Sequence, residues 1–564
     1  VVAAALALVV LGAVGAVKAG LAGGDFMFDL EIKQPALAKT QPAVHDPHTP
    51  RLARRVFLVI IDGLRLDKSY ELPFLDELRR RGVDTEAQTH YPTWSRPNYV
   101  SILTGVPPVA SGVRTNHHAT PVELDSLMDR AREAGLRTAT ATDYDVLPKL
   151  FLRPRIAQPP PLVGEPDDIQ PEFDIDIDNI EQPNAAAGVK APDANLVSPF
   201  DDARYAPWPG GFSEAGAALA AGDAELVVLL VGAVDAAGHS RGGASQDYRE
   251  AAETADRALA RALGHVDLSQ DAIVITADHG HTNRGGHGGV EPEVLAVPLI
   301  AAGAGIKPGV AADDAHLVDV APTVSALLGI PAPGHGLGRT LVELTTLDDG
   351  ARRARVEADT ARLATTRGVV SQAEARAATD ELETRAQRIA IVVGGALLAG
   401  ILAALLIRRH VLRLDWRVLL VSVPAFFVVY YALIGTLGQR FSPSLLPAQG
   451  HLAATMAKYG VAAMVVQLLA SMWALRNQGS LGERLAAANG IAWTGLMLAM
   501  VPAGLVWAFF PPPYVSVPGP LWLVMIPAVE VAVACAAIDV ALTLMVEVIV
   551  FAARAWHREA PSLD

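Results

Sequence analysis

Cysteine is almost absent from this chain: Cys535 stands alone among 564 residues. A disulfide within the chain is therefore impossible, as are a CxxC metal site and a cysteine-rich secreted scaffold. Charge is also scarce. Asp, Glu, Lys and Arg make up 19% of the residues, and the balance is acidic, with a formal net charge of −14. That argues against a general nucleic-acid binder, which is usually basic. Aromatics are few, at 6%, yet 51% of the residues are hydrophobic and the mean hydropathy is +0.29. Such apolarity disfavours a disordered chain and points to membrane segments. At ~100–200 residues per domain the length allows two to four domains.

The first charge is Lys18, after the uncharged run Val1 to Val17. A run of that length is enough for an N-terminal membrane anchor over 1–24. A cleaved signal peptide ending near Ala19-Gly20-Leu21-Ala22 is the rival reading. Residues 25–54, with Pro35, Pro42, Pro47 and Pro50, read as a linker. Residues 55–350 have the texture of a soluble α/β domain. Its apolar runs Val56–Ile61, Leu226–Val231 and Ala272–Ile275 fit strands buried on both faces of a parallel sheet. Helices are expected over Phe74–Arg81, Pro121–Ala134 and Asp247–Leu263. The stretch 154–202 is rich in Pro and acid (Asp167, Asp168, Glu172, Asp174, Asp176, Asp178) and reads as an insertion or lid. It lacks the Gly-containing EF-hand pattern of a calcium loop. Residues 351–387 read as an exposed helical linker.

From 388 to 555 the chain has about five apolar segments: 389–407, 418–437, 459–475, 488–510 and roughly 520–553. The last is long enough for one tilted crossing or two short ones. Arg408, Arg409, Arg413 and Arg417 mark the loop after the first segment as cytoplasmic. Arg476, Arg484, Arg554 and Arg558 fall on the same side if the last segment crosses once. The soluble domain then lies outside the cytoplasm. Glu530, Asp539 and Glu547 are acids at bilayer depth, where they are expensive and often functional.

Three of the apolar runs lead into metal-ligand residue types: Asp62-Gly63 after the first, Asp235-Ala236-Ala237-Gly238-His239 after the second, and Asp278-His279-Gly280 with His287 after the third. Ligands bind beyond the carboxyl ends of strands in open parallel sheets, so all three groups should meet at one edge. Three Asp and three His suit zinc or a similar divalent ion, and six ligands plus a nucleophile suit two ions. The nucleophile should sit at a helix start nearby. Ser95, in Tyr91-Pro92-Thr93-Trp94-Ser95-Arg96-Pro97-Asn98, reads as an N-cap with Pro97 in the first turn, and a helix N-terminus favours phosphate.

These motifs resemble the alkaline phosphatase superfamily, in its type I phosphodiesterase and nucleotide pyrophosphatase branch, over residues 55 to 345. Asp62-Gly63-Leu64-Arg65-Leu66-Asp67, Ser95-Arg96-Pro97, Asp278-His279-Gly280 and Gly286-His287-Gly288 are similar to GPI ethanolamine phosphate transferases. So is the layout of N-terminal anchor, extracytoplasmic domain and C-terminal membrane helices. The resemblance implies an alkaline-phosphatase-like sheet sandwiched by helices. It implies two Zn2+ ions, with Mn2+ or Mg2+ as alternatives. One would be held by Asp235, His239 and His287, the other by Asp62, Ser95, Asp278 and His279. Ser95 would be the nucleophile, with Thr93 as runner-up, and Asn116 would hold the transferring phosphoryl group. His281 is expected to be a neighbour of the site and not a ligand.

The implied activity is a membrane-bound phosphodiesterase or phosphotransferase acting through a phospho-serine on a lipid or glycan head group. A nucleotide pyrophosphatase acting on soluble substrates is the alternative. A transporter or membrane scaffold with a degenerate soluble domain is the alternative of another class. A sulfatase is disfavoured, because Ser95-Arg96-Pro97-Asn98-Tyr99 lacks the Arg of that motif. The low cysteine content and Ala/Arg bias point to a bacterial inner membrane.

Overall fold

A computed structural model describes residues 1–32, 34–144, 146–154, 195–436, 442–445, 452–478 and 480–559. Most of the acidic stretch 154–202, including Asp167, Asp168, Glu172, Asp174, Asp176 and Asp178, lies outside the described residues. The chain forms two compact units. One comprises Val1–Leu30 and Glu374–Asp564, the other Glu31–Ala373. The first unit opens with helix α1 (Val2–Asp29), which runs five residues past the expected anchor boundary.

The 31–373 unit is built on an eight-stranded sheet. In chain order the strands are β1 (Val56–Ile61), β2 (Gly82–Gln88), β3 (Thr138–Thr142), β6 (Asp202–Tyr205), β7 (Leu226–Val231), β8 (Ala272–Thr276), β9 (Ala296–Gly303) and β10 (Ala315–His316). A separate short pair is formed by β4 (Arg153–Pro154) and β5 (Leu196–Val197). The spatial order of the large sheet is β10-β2-β9-β8-β1-β7-β3-β6. Every residue of β1 and β7 is buried, because a central strand has helices over both faces. Full burial of each Val, Leu, Ile or Phe contributes ~1.5–3 kcal/mol.

Register positions the site. β1 pairs in parallel with both β7 and β8, with Val56 opposite Leu226 on one side and Ala272 on the other. The three strands therefore end level, and the segments that follow them leave from one sheet edge. The sheet is mixed and not wholly parallel: β9 runs antiparallel to both β2 and β8.

Local chemistry sets the helix starts. Helix α2 (Pro73–Arg81) has Pro at its first position, and Asp256 accepts the Phe74 and Leu75 N–H groups, each at 3.0 Å. Helix α3 (Ser95–Thr104) carries the candidate nucleophile. Helix α4 (Leu127–Glu133) begins later than the expected 121, because Ser126 and Asp129 close a capping box there. Helices α5 (Ala233–Arg241) and α6 (Gln246–Leu263) follow β7.

Helix α7 (Asp349–Arg408) is continuous for 60 residues, so the expected linker 351–387 and first apolar segment are one element. One face of its first turns is buried. Arg355 and Arg362 are buried and donate to the carbonyls of Ile330, Gly336 and Gly338.

The other unit continues with α8 (Trp416–Thr436), α9 (Leu452–Leu475), α10 (Leu481–Phe509) and α11 (Pro520–Glu559). Among the described residues six helices (α1 and α7 to α11) are long and apolar enough to cross a membrane, by length and composition. The segment around 520–553 is one unbroken helix. Tyr430 on α8 donates to the Ala528 carbonyl of α11 at 2.9 Å. Arg484, which falls between the expected apolar segments 459–475 and 488–510, lies inside α10 and pairs with Glu547 (Nη2 to Oε1, 2.9 Å). Asp539 is buried and lines a small cavity with Gln467 and Thr543.

Candidate active site

Asp62 directly follows β1, and Gly63 turns the chain with φ +73°. A Cβ at Gly63 would lie 2.9 Å from Asp235 Cα and 3.0 Å from His281 Cδ2, so the close approach needs glycine. The turn is held from two sides. Gly63 N–H donates to Asp278 Oδ1 at 3.1 Å, and the Tyr248 hydroxyl donates to the Gly63 carbonyl at 2.6 Å.

Asp235 and His239 lie four residues apart on α5, on one face, with His239 Nε2 3.4 Å from Asp235 Oδ2. His239 Nε2 is also 3.0 Å from His287 Nε2. Asp62, Asp278 and His279 form one group whose ligand atoms lie within 4.8 Å of one another, and Asp235, His279, His281 and His287 form a second. His279 belongs to both.

Ser95 Oγ lies 3.4 Å from Asp62 Oδ1 and 3.1 Å from His279 Nε2. It is the first helical residue of α3 and not its N-cap; Trp94 holds that place without a side-chain bond. The Ser95 side chain faces the carboxylates, and Asn116 takes over the capping, accepting the Arg96 N–H at 3.0 Å. Thr93, the runner-up nucleophile, is engaged elsewhere. Its Oγ1 donates to the Gly289 carbonyl at 3.0 Å and accepts from Gly288 N–H at 2.8 Å, which holds the His287 loop.

Hydrogen bonds assign the imidazole tautomers. His279 Nδ1 faces the Gly280 carbonyl at 3.1 Å, and His287 Nδ1 faces the Thr93 carbonyl at 2.8 Å. Each Nδ1 must carry the proton, which leaves a lone pair on Nε2 directed into the site. His281 is the reverse: its Nδ1 accepts Gly286 N–H at 3.2 Å, so its Nε2–H donates to Asp235 Oδ1 at 2.7 Å. It stands in the second group by distance, but its proton points at Asp235.

Burial, then the neighbouring Asp278 and Asp235 carboxylates, push the Asp62 carboxyl well above its usual range. Burial also raises Asp278. Burial would raise Asp235 as well, but His239 and His281 outweigh it and hold the carboxyl well below its usual range. Burial lowers His279, His281 and His287, keeping the imidazoles neutral.

Three carboxylates thus gather with no Lys or Arg partner to Asp62 or Asp278 among the described residues, and Asp278 Oδ2 is buried without a hydrogen bond. A buried carboxylate oxygen left so is costly. Oxygen donors with inward imidazole lone pairs fit a divalent cation of zinc type. Sequence reasoning missed two residues of the site. Tyr99 donates its hydroxyl to Asp62 Oδ2, and its position one helical turn after Ser95 was the available signal. Tyr248, 185 residues from Gly63, left none.

Residues 56–293 match the family model described as type I phosphodiesterase/nucleotide pyrophosphatase. Among curated proteins the chain is similar to GPI ethanolamine phosphate transferase 1. The Homo sapiens protein is 28% identical over 345 residues, 53% of this chain and 34% of that protein. The Yarrowia lipolytica protein is 26% identical over 328 residues, 51% of this chain and 33% of that protein. The chain thus matches about a third of the length of these relatives. Among solved structures it is similar to murine ectonucleotide pyrophosphatase/phosphodiesterase 5, with 13% identity and a TM-score of 0.37 over 52% of this chain and 100% of that one.

Proposed function

We propose that this chain is a membrane-bound, metal-dependent phosphotransferase or phosphodiesterase. It acts outside the cytoplasm, in a bacterial inner membrane, on a phospholipid or glycan head group, in the manner of a phosphoethanolamine transferase. The observation that carries the reading is Ser95 Oγ at a helix start, within 3.4 Å of both Asp62 and His279, where two ligand groups meet. Asp62, Asp278 and His279 would hold one divalent ion beside Ser95, and Asp235, His239 and His287 a second. Bound zinc would supply the positive charge that lowers the Ser95 pKa and offsets charge on the phosphoryl oxygens.

The chain's own part follows from its geometry. Ser95 Oγ forms a bond to phosphorus as the bond to the departing alcohol breaks, leaving a phosphodiester on Ser95. Asn116 and the α3 N-terminus orient the phosphoryl oxygens. His281 holds Asp235 in place through its Nε2–H. Water or a second alcohol then attacks phosphorus and frees Ser95, so hydrolase and transferase share the first half. The C-terminal helices favour a lipid-linked substrate, since a soluble nucleotide would need no more than an anchor.

The test is mass spectrometry of the zinc-loaded protein, acid-quenched after incubation with a membrane lipid extract. A phosphoethanolamine or phosphoglycerol adduct on Ser95 supports head-group transfer. A nucleotidyl adduct, from a nucleotide added in parallel, supports the pyrophosphatase alternative. Activity retained in both Ser95→Ala and Asp278→Ala would overturn the reading.

A further inference from the structure

Glu31 opens the 31–373 unit and follows Leu30, the C-cap of α1, directly in the chain. Its carboxylate is committed to one loop. Oε1 accepts Arg114 N–H at 3.2 Å, Thr115 N–H at 2.7 Å and the Thr115 hydroxyl at 2.7 Å, and Oε2 lies 3.0 Å from His118 Nδ1. The Glu31 and His118 side chains are only 10% and 9% exposed, so little water is available to replace these bonds. Ile32 extends the contact by donating its N–H to the Gly112 carbonyl at 3.0 Å. A Cβ at Gly112 would come within 2.4 Å of the Ile32 carbonyl oxygen, so the strap and loop fit at backbone distance.

Asn116 lies between the residues that Glu31 holds. The loop meets α3 twice, each time through the residue beside Ser95. Asn116 Oδ1 accepts Arg96 N–H at 3.0 Å, and the Arg96 guanidinium donates to the His118 carbonyl at 2.5 Å.

We propose that Glu31 is a positioning residue: its carboxylate shapes loop 112–118 so that Asn116 meets the first turn of α3 beside Ser95. The inference rests on the reading of Ser95 and Asn116 as phosphoryl-transfer groups. Glu31 does not touch the reacting atoms, so it acts through the loop, and the contact that faces the phosphoryl site is Asn116. The element that sets the phosphoryl site is then the stretch of chain immediately beyond the first apolar helix.

The test is a double-mutant cycle on the full-length, zinc-loaded protein in detergent, with bis(4-nitrophenyl) phosphate as the probe and rates normalised to folded protein by circular dichroism. Misplacing a positioned group by about 1 Å lowers rates by ~100-fold. Glu31→Ala is therefore expected to lower kcat by about 10- to 100-fold with KM changed less than about threefold. Glu31→Gln, which keeps the Oε1 acceptor, should recover most of that loss. In an Asn116→Ala background, Glu31→Ala should cost less than about twofold more, because residues acting as one unit are not additive. Should Glu31→Ala fail to fold, Glu31→Asp, whose carboxylate falls one methylene short of the loop, completes the same cycle with Asn116→Ala. Multiplicative losses, or an unchanged kcat in Glu31→Ala while Ser95→Ala is inactive, would overturn the inference alone. Full activity in both Ser95→Ala and Asn116→Ala would overturn the underlying reading and this inference together.

Discussion

A single glycine shows how tightly the site is drawn. Gly238 lies between Asp235 and His239 on α5, and a Cβ there would sit 2.4 to 2.7 Å from three atoms of the buried His281 ring. The ring cannot yield without releasing Asp235 Oδ1. Gly238→Ala is expected to lower kcat/KM by at least about tenfold, with the far-ultraviolet circular dichroism spectrum unchanged. Ser95→Ala should be more severe, losing about a thousandfold or more in turnover while still binding metal, as isothermal titration would show. The two variants separate a group that reacts from one that leaves room for its neighbours.

Among the elements, α5 has an unusual start. Its N-cap is Gly232, which has no side chain to give, and Asp143 at the end of β3 accepts the Gly232 N–H at 2.7 Å. Burial pushes the Asp143 carboxyl up to about 6, against ~3.9 in an unfolded chain. The folded state therefore holds its proton more strongly. Stability contributed by the protonated form is full below about pH 4 and declines as the pH rises through about 6. Asp143→Asn keeps an acceptor and removes the charge, so its melting temperature should vary less with pH over that window.

In the membrane-spanning unit, Glu547→Ala would leave Arg484 buried without its partner and should destabilise by ~3–5 kcal/mol. Replacing both residues with Leu or Met should be far milder, and thermal melting in detergent measures the difference.

The elements differ in how plainly the sequence announces them. β1, β7 and β8 are continuous apolar runs because both their faces are covered, and the level ending of those runs foretells where Asp62, Asp235 and Asp278 meet. The direction of β9 has no such mark, since Ala296–Gly303 is equally apolar read either way. Ser95 has the signature of a cap because the same small hydroxyl serves a capping bond or a polar centre. Only the fold shows that Asn116, 21 residues away, does the capping.

For the whole molecule, the charge balance of the site makes metal removal a structural event. With Asp62, Asp235 and Asp278 close together, chelation should abolish turnover and lower the melting temperature by several degrees. At a thousandfold excess over Kd, bound ligand contributes ~4 kcal/mol. Zinc added back should restore both, measured by differential scanning calorimetry and by turnover on the same sample. The lipid-linked reading makes a second demand: phosphodiesters presented in mixed micelles should be turned over faster than the same head group in free solution.

The order of strands also has a consequence in time. β1 is made before both of its neighbours, β7 and β8, so Val56 waits for Leu226, 226 − 56 = 170 residues later, and for Ala272 beyond it. At ~5–20 residues per second of synthesis, that wait is roughly 10–30 s. Throughout it, a six-residue strand with no charge has both edges open. Such a segment invites pairing with other chains. The hazard of wrong pairing is therefore greatest during synthesis, before Leu226 and Ala272 have been made to cover the two edges of β1.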